Sequence, residues 1–135
     1  MTIDALVKTE RRVLQMLNEW SEAAHKPVTR QGLLNQWSRV VDRTESGYDL
    51  SLDDYLNDLD SRVLLDHLLA ESGPAFGTLL RDQLAPLDTR FIVASEPSVL
   101  LRTTNNWRSR VPLKMGHEMR AQLQDLERAQ RCRQA

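Results

Sequence analysis

Apolar residues recur along the chain at spacings of three and four, the pattern of helices that bury one face. Ile3, Leu6, Val7, Val13, Leu14, Leu17 and Trp20 form the first stripe, with charges opposite. They predict a helix over residues 3–24, ended by Pro27, with His25 at its C-terminus. Thr29 is placed to N-cap a second helix, whose stripe is Leu33, Leu34, Trp37, Val40 and Val41. Ser46-Gly47 breaks it. Ser51 and Asp54 resemble a capping box with Asp in place of the usual Glu. The stripe that follows is Leu52, Tyr55, Leu56, Leu59, Val63, Leu64, Leu68 and Leu69. Asp60 or Ser61 can re-cap the chain, so this segment reads as one helix or two. Ser72-Gly73-Pro74 is a stop and a restart.

A further helix carries Phe76, Leu79, Leu80 and Leu84. Pro86 is expected to kink or end it, because proline lacks the amide and clashes with the preceding turn. Leu87, Phe91 and Ile92 then predict a short separate helix. The stretch from Glu96-Pro97-Ser98 to Pro112 is the least regular, and Trp107–Val111 alternates like a short extended segment. A last helix from about His117 carries Met119, Leu123 and Leu126. The expected fold is all-α, an irregular bundle of five or six helices in a single domain, with one short extended segment near 107–111. Residues 1–127 are expected to form the helical domain and 128–135 a polar C-terminal tail that frays.

Composition changes this picture little. With 135 residues, 41% hydrophobic and 27% charged, the chain matches an ordinary one-domain globule. The single cysteine, Cys132, has no internal partner and fits a reducing compartment. No apolar run approaches the roughly 20 residues that cross a bilayer. Met1-Thr2-Ile3-Asp4 lacks a basic and apolar leader pattern. A cytoplasmic location is the expectation.

Charge changes it more. The net charge of −1 conceals an uneven distribution. Residues 1–100 hold 10 Lys/Arg and 16 Asp/Glu, whereas residues 101–135 hold 8 and 3. Between Asp42 and Glu71 nine acids face only Arg43 and Arg62. Either the two halves neutralise each other in the fold, or an acidic face meets a basic partner.

The acid-rich run Asp49–Asp60 fits no metal template well. As a calcium loop it has Asp54 where glycine must turn and Asp60 where a bidentate Glu belongs. Asp53-Asp54-Tyr55-Leu56-Asn57-Asp58 is similar to the magnesium motif of all-α isoprenoid synthases, but the chain is too short for their cavity. Glu19-x-x-Glu22 with Asp42-x-x-Glu45 resembles the paired acids of metal-dependent all-α NTP pyrophosphatases, which is the enzymatic alternative. His117-Glu118 is half of a zinc-protease motif, with Ala121 at the second ligand position. The residues show no nucleophile elbow, P-loop or dinucleotide fingerprint. Neither a catalytic residue, a metal site nor a cofactor is expected. Trp107, Arg108 and Arg110 form a second candidate patch of bases and an aromatic, with Trp107 expected to plug the bundle. An acidic pI and the acids after the second helix make nucleic acid a poor partner.

Asp53–Leu59, Ala85-Pro86-Leu87-Asp88-x-Arg90-Phe91 and Trp107-Arg108-x-Arg110-Val111-Pro112 resemble a group of small uncharacterised bacterial all-α proteins. By type alone, an acidic helical domain without a catalytic set is similar to bacterial immunity proteins. That resemblance implies a non-enzymatic inhibitor that masks a basic toxin surface. Asp49, Asp53, Asp54, Asp58 and Asp60, with Tyr48 and Tyr55 as aromatic anchors, are the expected partner-binding residues. A structural oligomerisation module is a further alternative.

Overall fold

The first helix, α1 (Ile3–Ala24), closes on a left-handed residue, His25, at φ 55°. The Lys26 amide donates to the Ser21 carbonyl and the His25 amide to the Glu22 carbonyl, so two open carbonyls at the helix end are satisfied. The second helix, α2 (Arg30–Ser46), opens at Thr29, whose hydroxyl accepts from the Gly32 amide at 3.0 Å. It ends at Gly47, where φ is 114°, a conformation that favours glycine. These boundaries follow from local chemistry, and the computed structural model, which describes residues 3–101 and 106–134, places them where the caps predict.

Ser51 caps α3 (Leu52–Asp58) by accepting from the Asp54 amide. It donates its hydroxyl proton to the Asp54 carboxylate at 2.8 Å. The reciprocal bond of a capping box therefore runs through the hydroxyl, because Asp is one methylene shorter than Glu. Of the two readings left open for this segment, two helices is the one found: α4 (Asp60–Glu71) follows α3 across Leu59, which stands at its N-cap in place of Asp60 or Ser61 and makes no side-chain cap bond.

Pro74 stands in the first turn of α5 (Pro74–Val93), which runs unbroken through Pro86. This corrects the expectation of a helix ended at Pro86 and a short one after it. Pro86 and Asp82, whose carbonyl it leaves unbonded, both lie on the exposed side. Leu84 and Phe91 are buried on the inner side and hold both halves of the helix against the core. The final helix, α6 (His117–Gln134), continues past residue 127, so the polar tail extends the helix.

The extended segment expected near 107–111 falls at β2 (Arg110–Pro112). It pairs antiparallel with β1 (Ser95–Pro97), with Glu96 opposite Val111. Each strand ends on a proline, which cannot donate to a longer ladder.

α2 packs between α4 and α5, α1 lies on α4, and α3 touches α6. Trp37, Tyr48, Tyr55, Phe91, Leu59 and Met119 are among the fully buried core residues. Burying an aliphatic or aromatic side chain of this size contributes about 2 kcal/mol. The loop after α2 is pinned to the segment before α6. The Tyr48 amide donates to the Lys114 carbonyl at 3.0 Å and the Gly116 amide to the Tyr48 carbonyl at 2.6 Å. A Cβ on Gly116 would stand 3.0 Å from the Asp49 Cα, so any other residue here pushes on the neighbouring backbone, and glycine fits the close approach. No helix among the described residues is long and apolar enough to cross a membrane.

Candidate functional site

Folding sorts the nine acids of the Asp42–Glu71 segment into two groups. Asp42 and Glu45, one turn apart on α2, both receive Arg90 of α5, which holds Glu45 below the usual carboxylate range. Asp58 lies 3.5 Å from Arg43, Asp60 lies 3.8 Å from Arg108, and Glu71 lies 3.7 Å from Arg12. Asp66 takes Arg62 at 2.6 Å. Among the described residues, Asp49, Asp53 and Asp54 alone in this segment carry no ion pair, and all three are exposed. Their position is fixed by the α3 cap and by Gln122 of α6, whose side-chain oxygen accepts from the Leu52 amide at 2.6 Å. A shallow groove of about 290 Å³ runs between α3 and α6, floored by Leu52 and Leu126 and flanked by Asp53 and Asp125.

The neutralising cations are mostly not those of the basic C-terminal third. Arg12, Arg43, Arg62 and Arg90 come from α1, α2, α4 and α5, and among the described later residues only Arg108 joins an ion pair with the segment.

The two tyrosines expected as partner anchors are core residues, which corrects that assignment. Tyr48 and Tyr55 are both 0% exposed, with rings packed edge to face at 5.1 Å. Tyr55 donates to the Arg110 carbonyl at 2.7 Å, and Tyr48 donates to the Asp58 carboxylate. Burial pushes both hydroxyls well above the ordinary tyrosine range, and for Tyr48 the bond to Asp58 pushes further in the same direction. Asp58, half-buried beneath that bond, serves the interior rather than the exposed face.

Two residues of the second candidate patch, Trp107 and Arg110, are also turned inward, whereas Arg108 stays at the surface beside Asp60. Trp107 packs against Trp37 and Phe91, with ring centroids 5.6 and 6.0 Å away, and plugs the bundle as expected. Its indole donates to Asp66 at 2.9 Å. Arg110 does not present its charge to a ligand. Its Nε donates to the Ser95 hydroxyl and its Nη2 to the Ile92 and Ser95 carbonyls, which caps the C-terminal end of α5.

Charge counting alone passes over the centre of these contacts. Arg62 is 4% exposed. Its Nε and Nη2 each meet Asp88 at 2.8 Å, its Nη1 meets Asp66, and Trp37 donates its indole proton to the same Asp88 at 3.0 Å. Burial lowers the affinity of Arg62 for its proton, but bonds to Asp88 and Asp66 outweigh it, and the guanidinium is held protonated. The signal in the sequence was an arginine one position from Ser61 and three from Leu65 and Leu59, on the buried stripe.

Among the described residues no three His, Cys, Asp or Glu side chains gather into a metal-binding group. Of the two acid pairs that resemble a pyrophosphatase, Asp42/Glu45 is engaged by Arg90 and Glu19/Glu22 stands exposed on α1. Comparison with protein-family models, curated proteins and solved structures finds no match to this chain.

Proposed function

We propose that this chain is a non-enzymatic protein-binding domain of the immunity or antitoxin kind, and that its α3 face covers a basic surface on its partner. The observation that carries this reading is the selective pairing of the acids. Six of the nine are matched to cations or buried donors, and of the unmatched three, Asp53 and Asp54 lie in the first turn of one short helix and Asp49 just before its N-cap. Unpaired surface charge of one sign raises the rate of encounter with a surface of the opposite sign. That effect fades once salt shortens the screening length to about 8 Å. With Tyr48 and Tyr55 inside the core, the apolar contact at this face comes from Leu50 and from the Leu52–Leu126 groove.

The test uses the intact chain as bait in cell extract, beside an Asp53→Lys/Asp54→Lys variant whose helicity is checked by circular dichroism. A protein captured by the wild type is purified, and its affinity for both baits is measured at low and high salt. The expected result is a basic partner, an affinity that falls with salt, and a loss of about tenfold or more in the variant. Equal affinity and equal salt dependence for the two baits would overturn the reading.

A further inference from the structure

We infer that a second copy of this chain seats at the end of the molecule where the Asp49-Leu50 turn lies beside the Val93/Leu113 cleft. The cleft, of about 360 Å³, lies between the C-terminal end of α5 and the segment leading to α6. Its apolar lining is Val93, Ala94 and Leu113, and Val93 and Leu113 are 72% and 54% exposed. That is a large apolar exposure for two neighbouring side chains, joined by the Leu113 amide bond to the Ala94 carbonyl. Two cations stand at its edge. Arg90 is committed to Asp42 and Glu45, whereas Lys114 has no ion-pair partner among the described residues.

The complementary group stands next door. The Tyr48–Lys114 and Gly116–Tyr48 backbone bonds set residues 48–50 alongside residues 114–116. Asp49 is exposed and lacks an ion-pair partner among the described residues, and Leu50 is 37% exposed. An acidic apolar turn thus sits beside an apolar cleft in which Arg90 is balanced by Asp42 and Glu45 and Lys114 is the cation left without an ion pair among the described residues. A two-fold axis between them brings the turn of each copy to the cleft of the other, which is the self-complementary arrangement of an isologous dimer. Asp49 then faces Lys114 of the second copy twice, and Leu50 approaches Val93 and Leu113. Asp49 and Leu50 also belong to the face proposed for the basic partner, but Asp53 and Asp54 lie outside this contact, so Asp53→Lys/Asp54→Lys, which tests that partner, is expected to leave the dimer intact.

The two-fold makes a specific demand. Lys114→Glu alone sets like charges against each other at both contacts, and so does Asp49→Lys alone. Mixing the two variants makes both contacts opposite in sign again. Molar mass is measured by light scattering and analytical ultracentrifugation over a concentration series at low salt, with circular dichroism confirming the fold of each variant. The expected result is a concentration-dependent dimer for the wild type and a dimer weakened by about tenfold or more in affinity for each variant alone. The equimolar mixture is expected to recover the dimer, and Val93→Asp to abolish it in every combination. A wild type that stays monomeric up to its solubility limit overturns the inference, and so does a mixture no tighter than the separate variants.

Discussion

Arg62 grips Asp88 through two parallel bonds of 2.8 Å, with its guanidinium 4.4 Å from the centre of the Trp107 ring. Such a bidentate pair is strong where water is excluded, but removing one member strands the other. Asp88→Ala is therefore expected to cost about 3 kcal/mol, the low end of the range for buried pairs because Asp66 still holds Arg62. Arg62→Met/Asp88→Leu is expected to recover most of that loss. Urea unfolding of the two variants and the wild type checks both statements.

His25 occupies the left-handed position that ends α1. A side chain there carries a steric cost that glycine does not. His25→Gly is expected to stabilise the fold by about 0.5–1 kcal/mol, after the extra flexibility of glycine in the unfolded chain is deducted. A higher thermal midpoint is the readout.

Pro86 interrupts the hydrogen bonding of α5 without ending it. Pro86→Ala restores an amide that can bond the Asp82 carbonyl and is expected to add about 2 kcal/mol, less the stiffness that proline gives the unfolded chain. No change or a loss on denaturant unfolding would show that the proline is accommodated elsewhere.

The buried tyrosines set an alkaline limit. Their hydroxyls titrate well above the ordinary value of 10.0, so the folded state keeps its protons where the unfolded state releases them. The stability they contribute is complete below about pH 10 and is lost as pH rises above it, at about 1.4 kcal/mol per pH unit for each tyrosine. Tyr55→Phe is expected to flatten this slope by one tyrosine. Tyr48→Phe does the same and also costs about 1–2 kcal/mol at neutral pH, because Asp58 loses its donor. Thermal unfolding from neutral to alkaline pH checks both, the slope at the alkaline end and the loss at the neutral end.

Much of this was legible in the residues, for local reasons. Thr29, Ser51, Gly47 and Pro74 mark helix ends through bonds that span three or four residues, and the helices begin and end there. Tyr55 lies in step with Leu52 and Leu59, so its burial was also written in the period. Tyr48 sits in a break between helices, where no period exists, and only the long-range bonds to Lys114 and Gly116 enclose it. The same holds for the distinctive phrases around Asp58, Asp88, Trp107 and Arg110. They looked like a site because they are polar and unusual, but their partners, Tyr48, Trp37, Asp66 and Ser95, lie 10 to 51 residues away. Charge counting located the acidic face, but only the fold shows which acids it leaves unmatched.

The residues that meet around Arg62 are separated by 26, 51 and 41 positions along the chain. These contacts need α2, α4 and α5 docked and the loop bearing Trp107 returned, so they are expected to form late in folding. Interactions formed after the transition state govern how slowly a protein comes apart rather than how quickly it assembles. The buried arginine is then expected to act as a latch on the lifetime of the folded molecule, and Asp88→Ala to speed unfolding far more than it slows folding in stopped-flow measurements.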